Sequence, residues 1–202
     1  MAVLFKTSMS FSQVNPLGIN NTFIGLDREN GIIIMSGIAI ASYFLTKKDS
    51  KSRLNYYQVH LAYFNGDGYN VYMQNFGLEK EYSSWFSLRV EGNIQEFSKD
   101  DYNTFGLGMK IYSRYTLFGN KNLSPYFEYG VGIFNALKKF PEDGSTFTFN
   151  LTYALGLEYK FTNKNKIRMD YNFIHHSNGN LSNSNPGFDG NGISFSYSWF
   201  WK

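Results

Sequence analysis

Cysteine is absent from the 202-residue chain, and proline occurs only four times. The absence of cysteine excludes disulfides, thiolate metal sites and a cysteine nucleophile. The excess of positive over negative charge is also small. A formal net charge of +3 does not indicate a nucleic-acid partner. The mean hydropathy of −0.35, with no apolar run of the ~20 residues that span a bilayer, excludes a helical membrane protein.

Aromatic residues and glycine are abundant. The chain contains 20 Phe, 16 Tyr, 3 Trp and 19 Gly, and 43% of its residues are hydrophobic. A chain of this length and composition can form one domain with a core, or one small membrane barrel.

Hydrophobic residues alternate with polar or small ones over most of the chain. In residues 146–161 every odd position is apolar and every even position is polar, small or charged. Because successive side chains of a strand point to opposite faces, this period of two predicts strands. We predict eight strands, at residues 54–64, 69–76, 82–95, 104–117, 126–137, 146–161, 167–177 and 193–201, with a ninth candidate at 32–45.

The two faces of these strands differ in a way that favours a membrane barrel. The apolar faces are long and aromatic, whereas the opposite faces carry mixed charges interleaved with glycine and alanine. Short polar connections at 119–122 and 162–166 alternate with longer ones at 138–145 and 178–191, as in transmembrane barrels. The prediction is an all-β fold, an eight-stranded antiparallel transmembrane β-barrel with a polar lumen. The alternative is a soluble barrel that turns its apolar face inward and carries a lipid.

The N-terminal residues 1–52 differ from the barrel domain at 53–202. Residues 31–45 are apolar, and Ala39-Ile40-Ala41 resembles the small-x-small pattern of a secretory cleavage site. Asp27 and Glu29 stand where such a signal would carry positive charge. A signal-like segment near 31–41, an extra strand and a buried segment all remain open from the sequence.

A candidate catalytic group lies at the end of the seventh strand. The apolar face of that strand continues to His175 and Ser177, while His176 falls on the opposite face with Asp170 and Asn172. A serine hydroxyl becomes nucleophilic when a base such as imidazole takes its proton, and a third group should orient that base. Asp189 lies twelve residues after the serine, just before the last strand, and the intervening loop is expected to return it to the site.

The residue that follows the serine could stabilise an oxyanion. Asn178 carries a side-chain amide that could donate a hydrogen bond to it. The opposing interpretation is a solvated rim without chemistry, since an isolated His-x-Ser is common.

The spacing of these residues resembles a known family. His175-His176-Ser177-Asn178 is followed by asparagine, glycine and a carboxylate eight, ten and twelve residues after the serine, at Asn185, Gly187 and Asp189. The segment Pro-Tyr-Phe-Glu-Tyr-Gly-Val-Gly at 125–132 also resembles the central strand of that family. The family is the PagL-type lipid A 3-O-deacylases, and the resemblance covers residues 54–201.

The resemblance implies an outer-membrane serine esterase that hydrolyses the acyl chain ester-linked at position 3 of lipid A. His175 would be the general base, Ser177 the nucleophile and Asp189 the orienting acid. Asn178, with Gly179 and Asn185, would support the oxyanion. No metal or cofactor is implied; the partners would be lipopolysaccharide and outer-membrane lipids, with no nucleic acid.

Two features depart from the family pattern. Asp189 is shorter than the glutamate typical of the family, and the chain ends in Trp201-Lys202 rather than in a terminal aromatic residue. The sequence does not fix the oligomeric state, for which a homodimer is one prediction. The alternative function is a non-catalytic outer-membrane barrel with a structural or lipid-binding role.

Overall fold

The structure, a computed structural model, describes residues 22–23, 26–47, 55–118, 121–181 and 184–201. Much of the predicted N-terminal extension, at 1–21, 24–25 and 48–52, lies outside the described residues.

A helix occupies the apolar segment near the N-terminus. Strands β1 (Thr22–Phe23) and β2 (Leu26–Asp27) form a short antiparallel pair, and helix α1 spans Arg28–Thr46. The ninth strand predicted at 32–45 is therefore wrong. A continuous apolar run that lacks alternation and exceeds ten residues favours a helix over a strand. The described helical residues include no segment that is both long and apolar enough to cross a membrane. The signal-like segment stays a prediction.

Eight antiparallel strands close into a barrel, as the alternation predicts. The strands are β3 (Asn55–Gly66), β4 (Tyr69–Glu81), β5 (Phe86–Lys99), β6 (Tyr102–Thr116), β7 (Leu123–Phe140), β8 (Ser145–Thr162), β9 (Asn165–Ser177) and β10 (Phe188–Trp201). Each strand pairs with its neighbours in sequence, and β10 pairs with β3 to close the ring. Closure leaves no unpaired strand edge in the sheet.

The outer wall of the barrel is apolar, and its side chains are the ones that the alternation assigned to one face. Leu107, Met109 and Leu157 are each more than half exposed on this wall. Their inward neighbours Lys110 and Glu158 are buried. An apolar wall of this kind is what a barrel presents to lipid.

Charged residues fill the half of the barrel that is distant from the β9–β10 loop. Glu79 accepts hydrogen bonds from Arg114 (2.7 Å), Lys166 (2.8 Å) and Arg168 (2.8 Å). Glu128 pairs in the same way with both Arg89 and Arg114. Buried charges are tolerated when they are paired and hydrogen-bonded. The predicted polar lumen is present in this half of the barrel.

An apolar cluster fills the other half of the barrel, next to the β9–β10 loop. Its central members are the fully buried Phe97, Phe134, Phe140 and Phe188. These rings surround His176, with centroid separations of 5.5 Å from the first three. Phe97 and Phe134 occupy inward positions in their strands, so the sequence already contained an indication of this cluster.

The connections do not separate into one short and one long set. At the end that carries the β9–β10 connection, which we call the loop rim, the connections comprise 67–68, 100–101, 141–144 and 178–187. At the opposite end they comprise 82–85, 117–122 and 163–164. The expected long loop at 138–145 shrinks to four residues, because β7 and β8 continue to Phe140 and Ser145. Only 178–187 is long among the barrel connections.

Candidate active site

Strand register brings His175 and Asp189 together on the outer wall. His175 in β9 is directly opposite Asp189 in β10, and both occupy positions of the outward-facing set, although neighbouring side chains leave His175 only 9% exposed. Asp189 was expected in the loop, returned by a polar tether, but β10 begins at Phe188, five residues before the predicted start at 193, and therefore includes Asp189. The aspartate is therefore fixed by the sheet itself. This placement also explains how a carboxylate shorter than glutamate can reach the imidazole.

The histidine and the aspartate form a hydrogen bond. His175 Nδ1 lies 2.8 Å from Asp189 Oδ1, a distance typical of a charge-assisted hydrogen bond. Because a carboxylate accepts hydrogen bonds, Nδ1 of the imidazole is the donating nitrogen. Nε2 is then the nitrogen that can act as a base.

Ser177 is the last residue of β9 and lies on the same face as His175. Two residues of a strand span about 6.6 Å of backbone, so their side chains can approach one another. Ser177 is opposite Phe149 of β8, and Gly179 with a φ of +62° turns the chain near that ring. An exposed aromatic surface thus borders the serine.

The two predicted oxyanion asparagines hold the loop after Ser177. The Asn178 amide donates to the carbonyl of Ser184 at 2.6 Å, and its backbone N–H donates to Asn185 Oδ1 at 2.9 Å. Asn185 Nδ2 in turn donates to Asn180 Oδ1 at 3.0 Å.

His176 has a different environment from His175. It points into the barrel, is fully buried, and its Nδ1 lies 3.0 Å from the hydroxyl of Thr148. The sequence placed it on the inward face with Asp170 and Asn172, and that assignment is confirmed. Because phenylalanine rings enclose it, His176 is part of the interior packing of the barrel and not of the outer-wall site.

Asp67, which was not predicted from the sequence, also contacts this site. Asp67, in the β3–β4 turn, accepts a hydrogen bond at Oδ2 from the backbone N–H of Asp189 at 2.7 Å. The signal was the Asp-Gly pair at 67–68, which favours a tight hairpin. Barrel closure then sets that hairpin beside the last strand.

The part of the chain that the structure describes contains no candidate metal site. There, no group of three or more His, Asp or Glu side chains could hold a metal ion. The chemistry available at the site is that of the hydroxyl, imidazole and carboxylate groups on the outer wall.

An eight-stranded barrel with an apolar outer wall and a filled interior defines an outer-membrane β-barrel protein. Solved structures share this fold. The outer membrane enzyme PagL is 17% identical, with 69% of this chain and 97% of that chain covered and a TM-score of 0.57. Neisserial surface protein A is 12% identical, with coverages of 72% and 97% and a TM-score of 0.53.

The family model described as Lipid A 3-O-deacylase (PagL) matches residues 43–198, well over half of the chain. The chain therefore belongs to the PagL family of lipid A 3-O-deacylases, and it is a bacterial outer-membrane protein. None of the curated proteins matches it. The family match confirms the resemblance noted from the sequence and overturns the soluble-barrel alternative.

Proposed function

We propose that this protein is a serine esterase of the outer membrane that removes the acyl chain ester-linked at position 3 of lipid A. The observation that carries the proposal is the 2.8 Å hydrogen bond between His175 and Asp189 on the outer wall, two residues from Ser177. Membership of the deacylase family supplies the substrate class.

In the proposed mechanism Ser177 Oγ attacks the ester carbonyl carbon while His175 Nε2 takes the hydroxyl proton. Asp189 orients the imidazole and stabilises the imidazolium. The tetrahedral intermediate then expels the sugar oxygen, which takes the proton from His175 and leaves as a hydroxyl group. Water, activated by the same imidazole, cleaves the acyl-serine ester and releases the fatty acid.

The surroundings of the serine fit an acyl substrate. Phe149 is opposite Ser177, and the exposed side chains Leu155, Met169 and Tyr171 continue the outer wall away from the loop rim. An acyl chain lying along this wall would remain in hydrocarbon while its ester reached the rim, where headgroups begin. A site inside the barrel would require the chain to leave the bilayer.

Oxyanion stabilisation is assigned to the loop that follows the serine. Asn178 and Asn185 are the proposed donors, because both are fixed in this loop by hydrogen bonds, and Gly179 provides the turn beside the serine. Removal of one such donor typically costs about 10²–10³-fold in rate. Homodimer formation stays a prediction.

The decisive test is mass spectrometry of lipid A from cells that produce wild-type protein or Ser177→Ala. We expect the wild type to remove one ester-linked acyl chain and the variant to leave it in place. Ser113→Ala, which alters a buried serine of β6, a strand that does not pair with β9, serves as the matched control and should retain activity. Equal deacylation by Ser177→Ala would refute the serine mechanism. No deacylation by wild-type protein that is folded in the outer membrane would favour the non-catalytic barrel.

A further inference from the structure

The β3–β4 turn meets the start of β10 at the loop rim. The backbone pairing of β3 with β10 ends at Asn65 and Asn191, two residues short of Asp67 and Asp189. The hydrogen bond from the Asp189 N–H to Asp67 Oδ2, at 2.7 Å, continues the connection between the two strands to this position. A side chain therefore does here what the backbone ladder does in the rest of the two strands.

The backbone of Asp189 also packs closely against Gly66. Gly66 packs so closely that an added Cβ would overlap the carbonyl oxygen of Asp189. Aspartate has a short side chain, so the location of its carboxylate depends closely on where its backbone lies. A shift of the Asp189 backbone would move Oδ1 away from His175 Nδ1, which lies only 2.8 Å away.

We propose that Asp67 is a positioning residue, which holds the backbone of Asp189 so that its carboxylate stays on the imidazole of His175. This proposal rests on the serine esterase function proposed above. Asp67 acts through its contact with Asp189, and its charge also acts on His175.

The charges around Asp67 are consistent with this role. Partial burial of its carboxyl group raises the pKa of Asp67, and the negative charge of Asp189 in β10 acts in the same direction. The Asp189 N–H, His175 in β9 and Lys99 in β5 lower that pKa. The repulsion between the two carboxylates is therefore offset in part by these neighbouring groups.

The test compares Asp67→Ala, Asp67→Asn and a matched control, Asp100→Ala, in purified protein in detergent with lipid A. Asp100 occupies the two-residue β5–β6 turn on the same rim, and its φ of 47° matches the 48° of Asp67. The control therefore carries the same backbone strain from alanine without a contact to Asp189. The measurements are kcat, KM, the pH–rate profile, and hydrogen exchange of the Asp189 amide by NMR.

We expect Asp67→Ala to lower kcat about tenfold with KM unchanged, since small displacements of a catalytic group are costly. The Asp189 amide should exchange about tenfold faster or more, because its acceptor is lost. Asp67→Asn keeps an acceptor and should restore most of kcat. Its profile should shift on the acidic side toward lower pH, because an anion near the imidazole has been removed.

Two results would overturn the positioning role in an enzyme whose activity depends on Ser177. One is wild-type kcat and unchanged amide exchange in Asp67→Ala. The other is an equal loss in Asp100→Ala, which would assign the effect to turn strain. Failure of the underlying function is distinguishable, since wild-type protein would then lack Ser177-dependent activity while the exchange of the Asp189 amide would still respond to Asp67→Ala.

Discussion

Lengthening the acid of the candidate triad should slow the enzyme, even though glutamate is typical of the family. Asp189 is directly opposite His175, and its Oδ1 is already 2.8 Å from Nδ1, within the optimum for a charge-assisted hydrogen bond. Asp189→Glu adds one carbon–carbon bond, about 1.5 Å, with no space between the partners to absorb it. The carboxylate or the imidazole must therefore move.

A displacement of about 1 Å in a catalytic group can cost on the order of 10²-fold in rate. We expect Asp189→Glu to lower kcat/KM about 10–100-fold, or up to about 2.7 kcal/mol of transition-state stabilisation. Asp189→Asn should cost more, about 10³–10⁴-fold, because an amide no longer stabilises the imidazolium. The assay is mass-spectrometric quantification of fatty acid released from lipid A in detergent.

Asp143→Glu makes the same substitution at an exposed position on the same rim and should leave the rate unchanged. If Asp189→Glu is as fast as wild type or faster, the argument from strand register is refuted. The acid would then reach the imidazole by loop adjustment and not from a fixed place in the sheet.

Two further predictions concern the interior and the β3–β10 junction. Glu79→Ala removes the carboxylate that three buried cations share and should cost about 3–5 kcal/mol of unfolding free energy, measured by urea titration with tryptophan fluorescence. A cost under about 1 kcal/mol, equal to that of the exposed Glu142→Ala, would refute the network. Gly66→Ala should lower kcat at least tenfold by displacing Asp189, whereas Gly92→Ala, with open space for a Cβ, should not. Equal rates for the two glycine variants would contradict the close packing.

The barrel was predictable from the sequence because its period of two is long and regular. A strand that faces lipid on one side and a filled interior on the other carries that signal in every residue. The helix at Arg28–Thr46 was not predicted, although the length of its apolar run and the lack of alternation favour a helix over a strand. The interior phenylalanines escaped because alternation reports which face a residue occupies but not what fills the space across the barrel.

The candidate site was likewise predictable only in part. Parity within one strand assigned His175 and Ser177 to the outer wall and separated them from His176. The placement of Asp189 depends on register between strands, and the contact of Asp67 depends on closure of the first strand against the last. Both are properties of pairing between distant segments, which the sequence of a single segment does not specify.

The phenylalanine cluster beneath the loop rim determines how solvent and product must travel in the proposed reaction. With Phe97, Phe134, Phe140 and Phe188 packed around His176, the inside of the barrel is not a water route to the serine. The hydrolytic water must arrive from the aqueous side of the rim. The released fatty acid must leave sideways into the leaflet. Water and fatty acid would then be separated at the membrane surface by their difference in polarity.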